Sequence, residues 1–292
     1  MINTDQTYNN GIQLRNIDES DLGFCGELVK QAGWNQNEND WRRMLRLDPE
    51  GCFLGEIKGR KVASAVFTRF ENVVWISMVL VHKDYRRQGI GRKMFERIMG
   101  KLKSIGVKTV RLDATEMGVN LYKKFGFREE YNLTRFVREP IVPKKALSKR
   151  LYELSDLKEI RECTVIDEKI TATNRENLFQ ILCEDRSAKY CGNFSSNGKM
   201  EGYVVIRDGR NGVQIGPCVA LSSKGEILLD TAMNAVGDRK IIVDIPEKHP
   251  QAVNWALNNG FEKKRSFIRM YVGEKLRDSP ENIWASFGPE KG

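Results

Sequence analysis

The stretch VLVHKDYRRQGIGRKMFERIM (Val79–Met99) places two glycines, one residue apart, between an apolar run and an amphipathic run. Glycine is not the preferred helix cap, and inside a regular element it costs roughly 0.5–1 kcal/mol relative to alanine. A helix start, however, presents unpaired backbone N–H groups and the positive end of the helix dipole, where phosphate binds readily. Gly89 and Gly91 therefore indicate either a phosphate-binding turn or a tight strand-to-helix connection that needs positive φ.

The spacing around these glycines excludes two common nucleotide-binding patterns. The segment Gly89–Met94 lacks the third glycine of the dinucleotide pattern GxGxxG, and it lacks the ending of a Walker loop. Positive charge nevertheless surrounds the turn, from Arg86, Arg87, Arg92 and Lys93. A diphosphate bound by bare backbone amides is consistent with both features.

Hydrophobic periodicity around the turn predicts an α/β (α+β) fold, with a mixed, mostly antiparallel twisted sheet flanked by helices. In the first half, helical spacing covers ESDLGFCGELVKQAG, NENDWRRMLRLD, Gly89–Ser104 and VNLYKKFG, and strand patterns cover 52–81 (three strands), KTVRLDAT and FREEYNLTRFVRE. In the second half, helices are predicted over NRENLFQILCED, GEILLDTAMNAV and PQAVNWALNNG, and strands over AKYCGN, EGYVVIRD, NGVQIGPCVA, KIIVDI and FEKKRSFIRMYVG.

One pair of segments indicates that the chain contains a duplicated domain. LYKKFGFREEYNLTRF (121–136) and WALNNGFEKKRSFIRM (255–270) share a Gly-Phe pair and a later arginine, Arg135 or Arg269, at an offset of 134. The proline-containing segment 140–150 is typical of a linker. We therefore predict a loose tail at 1–10, a first domain at 11–139, the linker, and a diverged second domain at 151–292.

The composition and charge of the chain limit the kinds of ligand it could bind and the cellular compartment in which it is expected. The chain of 292 residues is 40% hydrophobic and carries a net charge of +9, of which residues 1–145 contribute +8. This asymmetry favours a polyanionic ligand on the first half, although nucleic acid is disfavoured because the basic residues lack interleaved aromatics. Six scattered cysteines without a CxxC pair, two histidines and no long apolar run predict a cytoplasmic, reducing location, with no metal site and no membrane segment.

The order strand, R-x-x-G-x-G, long helix, strand, L-Y-x-x-x-G-F resembles the GNAT superfamily of acyl-CoA-dependent N-acyltransferases. VLVHKDYRRQGIGRKMFERIM is similar to its acetyl-CoA motif and ATEMGVNLYKKFGF to the following one, whereas the second half is similar in outline to the degenerate domain of two-domain members. The resemblance implies acetyl-CoA as co-substrate, and a β-bulge that splays the strand Trp75–Val81. The implied cofactor-binding residues are Val79, Leu80, Val81, Arg86, Arg87, Gln88, Gly89, Ile90, Gly91 and Arg92.

The same resemblance assigns Tyr122 as the general acid for the leaving thiolate, with packing against the sheet as the alternative role. The second half has Ala256 at the corresponding position and no R-x-x-G-x-G, so we expect only the first domain to bind CoA. The general base stays open, because the strand VVWISMVLV carries no acid. The candidates are Glu71, Asp113, Glu116 and a water chain that Ser77 could orient.

The favoured function is that of an N-acetyltransferase that moves acetyl from acetyl-CoA to a primary amine by direct nucleophilic attack. Two alternatives from other classes stay open: a non-catalytic acyl-CoA sensor, and a nucleic-acid-binding or protein-binding module that uses the basic first half. The second domain is expected to cover the acceptor side of the first. The sequence specifies neither the acceptor nor an oligomeric state.

Overall fold

The computed structural model describes residues 11–140, 157–184, 188–194, 198–221 and 224–292. The predicted tail, 1–10, and the predicted linker beyond Pro140 lie outside these ranges. We call residues 11–140 the N-terminal half and residues 157–292 the C-terminal half.

The N-terminal half follows the predicted order of elements, with one additional strand, β1, at its start. Local chemistry sets the helix ends: Asn37 caps α2 and exchanges hydrogen bonds with Asp40 in a capping box, and Gly33 ends α1 at a φ of 65°. The elements are β1 (Ile12–Asn16), α1 (Leu22–Ala32), α2 (Glu38–Leu47), β2 (Cys52–Ile57), β3 (Arg60–Phe70), β4 (Val73–Val81), α3 (Ile90–Ser104), β5 (Thr109–Ala114), α4 (Glu116–Lys123) and β6 (Arg128–Arg138).

The C-terminal half also contains every predicted element, together with two that the pattern did not predict, α5 and β12. Strand β12 is only three residues long and is defined by its partner rather than by its own periodicity. The elements are α5 (Leu157–Thr171), α6 (Glu176–Glu184), β7 (Ala188–Phe194), β8 (Met200–Arg207), β9 (Val213–Ala220), α7 (Lys224–Val236), β10 (Ile241–Pro246), α8 (Pro250–Asn258), β11 (Glu262–Gly273) and β12 (Ile283–Ala285).

Within the described residues, the two halves share one continuous, mostly antiparallel sheet, because they exchange their last long strands. The sheet order is β1-β2-β3-β4-β5-β11-β6-β10-β9-β8-β7, with β12 paired to β9. Strand β11 of the C-terminal half lies between β5 and β6, and β6 of the N-terminal half lies between β11 and β10. The predicted fold class is confirmed, and the exchange joins two sheets that the sequence pattern presents as separate.

The exchange centres on an approximate two-fold relation between the halves. Leu133 and Phe267, which are 134 positions apart, are Cα partners in the antiparallel pair β6–β11. Around this point the residues on β6 lie near their counterparts on β11, and the counterparts move apart on either side, so that Arg135 pairs with Arg265 and Arg269 pairs with Tyr131. This arrangement makes the inner strands of both halves part of one interface.

The exchange also explains the arginine that recurs in the sequence repeat. Arg135 on β6 donates two hydrogen bonds of 2.7 Å to Asp244 on β10, and Arg269 on β11 donates bonds of 2.8 and 2.9 Å to Asp113 on β5. Each aspartate is directly opposite its arginine in the register. Buried bidentate pairs of this kind fix geometry strongly, because losing one partner leaves a desolvated charge. The two pairs lock each half to the last long strand of the other.

Candidate active site

A β-bulge separates the outer part of β4 from β5 and opens the sheet. Ala65 of β3 faces two residues of β4, Met78 and Val79, and Met78 adopts a φ of 49°. The Ser64 hydroxyl donates a hydrogen bond of 2.9 Å to the Met78 carbonyl, which holds the bulge in place. Strands β4 and β5 pair only through Val73–Trp75, so the far edge of Ile76–Val81 has no strand partner among the described residues. The predicted bulge is confirmed.

The helix start that follows β4 uses its two glycines for different physical reasons. Gly89, the cap of α3, has a φ of 75°, the left-handed region that glycine adopts at low cost. Gly91 has an ordinary helical φ, and a Cβ added there would meet only Val81 Cγ2, at a relaxed 3.6 Å. Neither backbone conformation nor protein packing therefore requires glycine at position 91. A bare backbone at this point leaves room for a ligand.

The open edge of β4 and the start of α3 line a cavity of about 1390 Å³. The predicted site residues that line it are Val79, Leu80, Val81, Arg86, Arg87, Gly89, Ile90, Gly91 and Tyr122. Gln88 and Arg92 do not line it: the Gln88 side chain donates to the Asp84 carbonyl, and Arg92 pairs with Glu96 one helical turn later. Arg86 reaches back to the Val81 carbonyl at 3.0 Å, which ties the turn to the end of β4.

Tyr122 lies on α4 beside this cavity, and its ring packs among aromatic side chains. The ring centroid is 4.9 Å from that of Phe95 and 6.1 Å from that of Phe127. Gly118, one turn earlier, makes this placement possible, because a Cβ there would lie 2.7 Å from Tyr122 Cε2. Burial raises the pKa of Tyr122 to about 12, so the hydroxyl stays protonated at neutral pH. Tyr122 thus both packs against aromatic side chains and lines the cavity.

The structure separates the candidate bases. Glu71 lies in the β3–β4 turn, outside the cavity wall, where Asn174 donates to its side chain at 3.1 Å. Asp113 lines the cavity but is held by Arg269, and Glu116 lines it as an exposed residue in the first turn of α4. Ser77 also lines the cavity, with its hydroxyl 3.8 Å from Met44 Sδ. Of the three carboxylates, only Glu116 combines access to the cavity with freedom from a buried ion pair.

The opposite wall of the cavity comes from the C-terminal half, from strand β6 and from the loop after α1, and apart from Arg135 the sequence analysis did not single out its residues. Its members include Trp34, Gln36, Arg135, Arg265, Phe267, Pro289 and Glu290. Arg265 and Phe267 come from the exchanged strand β11, and Pro289 and Glu290 come from the segment that follows β12. The repeated arginine was the one sequence signal that pointed to this wall. The strand exchange itself has no signature in local periodicity.

In the C-terminal half, the chain itself fills the gap that is open in the N-terminal half. Strand β9 has a bulge at Gly216–Pro217, and it pairs with β10 only through Val213 and Gln214. Strand β12 pairs with the remaining edge of β9, and Ser286 donates a backbone hydrogen bond of 2.7 Å to Asp244 on β10. A segment of protein thus lies between these two strands.

The start of α7 in the C-terminal half is filled in the same way. A Cβ added at Gly225 would lie 2.2 Å from the Trp284 indole of β12. Ala256, the counterpart of Tyr122, is fully buried. Among the described residues, the protein itself therefore occupies the place in this half that corresponds to the opening beside β4 and α3.

Three further observations concern the described residues as a whole. No helix among them combines the length and the apolar character needed to cross a membrane. No group of three or more histidine, cysteine, aspartate or glutamate side chains among them could hold a metal ion. All six cysteines are free thiols, and five of them are buried.

Two curated proteins are similar to this chain over most of its length. The uncharacterised N-acetyltransferase YitH of Bacillus subtilis (strain 168) is 26% identical over 252 residues, which cover 83% of each protein. A holothin acyltransferase of Pseudoalteromonas sp. (strain SANK 73390) is 24% identical over 265 residues, which cover 89% of this chain and 87% of the relative.

Solved structures show the same fold. A candidate acetyltransferase from Pyrococcus horikoshii superposes with a TM-score of 0.83 at 23% identity, over 100% of this chain and 99% of its own. A tandem GNAT protein from the clavulanic acid biosynthesis pathway, solved without acetyl-CoA, superposes with a TM-score of 0.63 at 16% identity, over 91% and 100%.

The two halves of the chain also match family models separately. Residues 14–127 match the acetyltransferase (GNAT) family, and residues 163–285 match a second model, described as an acetyltransferase (GNAT) domain. With both halves matched, the chain belongs to the GNAT acetyltransferase family as a tandem, two-domain member.

Proposed function

We propose that this protein is an N-acetyltransferase that moves an acetyl group from acetyl-CoA to a primary amine in the cavity of the N-terminal half. The proposed domains are 11–139, which binds the donor, and 151–292, which covers the acceptor side. The observation that carries the proposal is the open edge of β4 next to the bare backbone at Gly91. A pantetheine arm has amide groups that can pair with such an edge, and a diphosphate suits the amides at a helix start.

The comparison within the chain supports this fit. The C-terminal gap accepts an extended piece of polypeptide, β12, between β9 and β10. Pantetheine resembles an extended peptide in its spacing of amide donors and acceptors, so the equivalent gap between β4 and β5 suits it. Arg86 and Arg87 would add charge beside the diphosphate, whereas Gln88 and Arg92 would contribute through the backbone of the turn.

In the proposed reaction the neutral amine attacks the thioester carbonyl directly, so no acyl-enzyme forms. A backbone N–H on the unpaired edge of β4 would stabilise the developing oxyanion. An alkylamine has a pKa near 10.4 and must first lose a proton. Glu116 and a water chain past Ser77 remain the proposed routes for that proton, because Glu71 lies outside the wall and Asp113 is bound by Arg269.

Tyr122 would then act on the leaving sulfur mainly as a hydrogen-bond donor. The pKa of Tyr122 is raised to about 12, whereas a thiol has a pKa of about 8.5. Complete proton transfer from the phenol to the thiolate would therefore be uphill by roughly 5 kcal/mol. A hydrogen bond stabilises the thiolate without that cost, and solvent can protonate it after departure.

Gly91→Asp tests the proposal, because the structure itself tolerates a side chain there. The new carboxylate would lie where the diphosphate binds, so we expect acetyl-CoA affinity, measured by calorimetry, to fall at least about 100-fold. Gly100→Asp is the matched control: it makes the same change in the same helix, where an added Cβ meets nothing within 4 Å. Equal affinity in the two variants, with both folded by circular dichroism, would remove this turn from the mechanism.

A second measurement separates an enzyme from a sensor. Release of free CoA from acetyl-CoA, followed with a thiol reagent over a panel of primary amines, should depend on the amine. Tight binding of acetyl-CoA without amine-dependent release would favour the sensor instead. Salt-sensitive binding of DNA without acetyl-CoA binding would favour the nucleic-acid module.

A further inference from the structure

The opposite wall of the cavity, which we call the acceptor wall, carries an arginine, Arg265, without an ion-pair partner among the described residues. The Arg265 side chain is half-buried in this wall, and no hydrogen bond or ion pair links it to any residue that the structure describes. Arg135 is its Cα partner on the neighbouring strand, so two arginines occupy directly opposite positions, and both line the cavity. Both carboxylate oxygens of Asp244 accept hydrogen bonds from Arg135. Like charges directly opposite each other destabilise a sheet, so this arrangement favours an additional anion.

The internal repeat of the chain has a neutral residue at the position that corresponds to this second arginine. Arg265 and Tyr131 are counterparts at the offset of 134. On the side away from the cavity, Tyr131 is opposite Arg269, accepts a hydrogen bond of 2.8 Å from it and donates one of 3.0 Å to Asp278. The pair Arg269–Asp113 thus has the neutral phenol Tyr131 opposite its arginine. The pair Arg135–Asp244 has a second cation, Arg265, in that position. The replacement occurs where the strand faces the cavity.

Gln36, a residue of the same cavity wall, has a buried hydrogen-bond acceptor without a donor. The Gln36 amide nitrogen donates a hydrogen bond of 2.8 Å to the Glu290 carboxylate, which can only accept, so the amide oxygen Oε1 must point elsewhere. Gln36 is only 7% exposed, and Oε1 has no hydrogen-bond partner among the described residues. Buried amide oxygens are normally satisfied, so this atom suits an N–H group of a ligand.

A chain of interactions along one cavity wall connects Gln36, through Glu290 and Arg135, with Arg265. Glu290 contributes to the electrostatic environment of Arg135, which is directly opposite Arg265. Burial, followed by the neighbouring charge of Arg135, lowers the pKa of Arg265 from its usual value, and the charge of Asp244 offsets this only in part. The wall thus offers a positive site and a hydrogen-bond acceptor along one cavity.

We propose that the acetyl acceptor is a small amine that also carries an anionic group, bound by Arg265 beside Arg135, while Gln36 Oε1 accepts from its amino end. This inference rests on the proposed transfer to an amine and specifies its substrate class. Carboxylate and phosphate share the required chemistry, because a guanidinium binds either one through paired N–H donors.

Matched amine pairs test the inference. We would measure kcat/KM for β-alanine against β-alaninamide and for O-phosphoethanolamine against ethanolamine. The wild-type protein should prefer the anionic member of one pair by about 10- to 100-fold, and the pair that shows the preference identifies carboxylate or phosphate. Equal values within both pairs would overturn the inference while leaving acetyl transfer intact.

Arg265→Tyr is the informative variant, because it copies the arrangement at Tyr131. The preference for the anionic amine should disappear, whereas Arg265→Lys should retain part of it. The free energy of unfolding of Arg265→Tyr should be unchanged or higher, since one of two adjacent cations is removed; a structural role for Arg265 would instead lower it. Lys263→Gln, an exposed position on the same strand outside the wall, is the control that should keep the preference.

A binding measurement keeps the inference testable if no amine is acetylated. Calorimetric titration of the same four amines into the CoA-saturated protein should show binding of an anionic member that Arg265→Tyr abolishes. That result without turnover would overturn the proposed transfer but support the anion site. Absence of any charge-dependent binding would overturn the anion site.

Discussion

The two halves of this protein contain the same gap in the same place, and one is open while the other is filled. In the N-terminal half, the bulge at Met78–Val79 leaves the edge of β4 free. In the C-terminal half, the bulge at Gly216–Pro217 opens β9 in the same way, and β12 occupies the space. Both halves thus have the β-bulge and the gap beside it, and they differ in whether a strand of the protein fills that gap.

The glycines at the starts of α3 and α7 differ in the same way as the two gaps. A side chain on Gly91 would meet almost nothing, whereas a side chain on Gly225 would collide with Trp284. One glycine is therefore explained by the protein itself, and the other is left for a ligand to explain. A duplicated domain thus provides an internal control that a single domain lacks.

The largest expected effect concerns the filled gap. Trp284 is 1% exposed and lies within the C-terminal core, so Trp284→Ala should lower the free energy of unfolding by about 3–5 kcal/mol. Urea unfolding checks the stability, and calorimetry should show acetyl-CoA affinity unchanged, because the open gap lies in the other half. A large loss of affinity would mean that the two gaps are not independent.

The next effect concerns the segment that runs from the filled gap to the open one. Lys291 is fully buried, and its ammonium has no hydrogen-bond partner among the described residues; burial lowers its pKa from 10.5 to about 8. Below pH 8 the folded protein carries a desolvated charge, so Lys291→Met should stabilise it at pH 7 by on the order of 3 kcal/mol.

The pH dependence of Lys291 has a definite sign. Between about pH 8 and 10.5 the unfolded chain still binds the proton that the folded chain has lost. The unfolding free energy of the wild-type protein should therefore rise through this window relative to that of Lys291→Met. Parallel pH profiles of the two proteins, from urea unfolding, would contradict this account.

The comparison of the helix starts can be sharpened directly with alanine. Gly225→Ala should cost about 1–3 kcal/mol, because its Cβ would lie 2.2 Å from the Trp284 ring. Gly91→Ala should change stability by less than about 1 kcal/mol, since the site is spacious and alanine favours a helix. Equal costs in thermal unfolding would mean that the two glycines serve one structural purpose.

The smallest expected effect compares Tyr122 with its counterpart, Ala256. Tyr122→Phe keeps the ring packing and removes one hydrogen bond to the leaving sulfur, so kcat should fall about 10- to 100-fold, equivalent to roughly 1.4–2.8 kcal/mol. With the pKa of Tyr122 raised to about 12, ionisation of its hydroxyl should not reduce wild-type kcat between pH 7 and 10. An unchanged kcat in Tyr122→Phe would assign this residue to packing alone.

The parts of the site that could be read from the sequence are those built within one continuous stretch. The turn at Gly89–Gly91 and the helix that carries Tyr122 follow from local spacing, and both lie where the pattern predicts. The pattern also supplied Gln88 and Arg92, whose side chains point to neighbours in the chain rather than into the cavity. Membership in a motif specifies the backbone more reliably than the direction of each side chain.

The acceptor wall could not be read in this way, because its residues come from distant segments. Gln36 and Glu290 are 254 positions apart and join through one hydrogen bond. Strand β12 carries too few residues to show a period, and it exists because β9 offers an unpaired edge. The recurrence of Arg135 and Arg269 was visible, but the identity of their partners was not.

The sequence by itself determined the mixed sheet, the order of helices and strands, the duplication and the glycine turn, since each depends on interactions between near neighbours. Only the tertiary structure decided which strands pair across the halves, which gap the chain fills and which charges face the open cavity. The physical reason is that a strand edge and a buried charge specify the kind of partner they need, whereas the folded chain as a whole determines which residue meets that need.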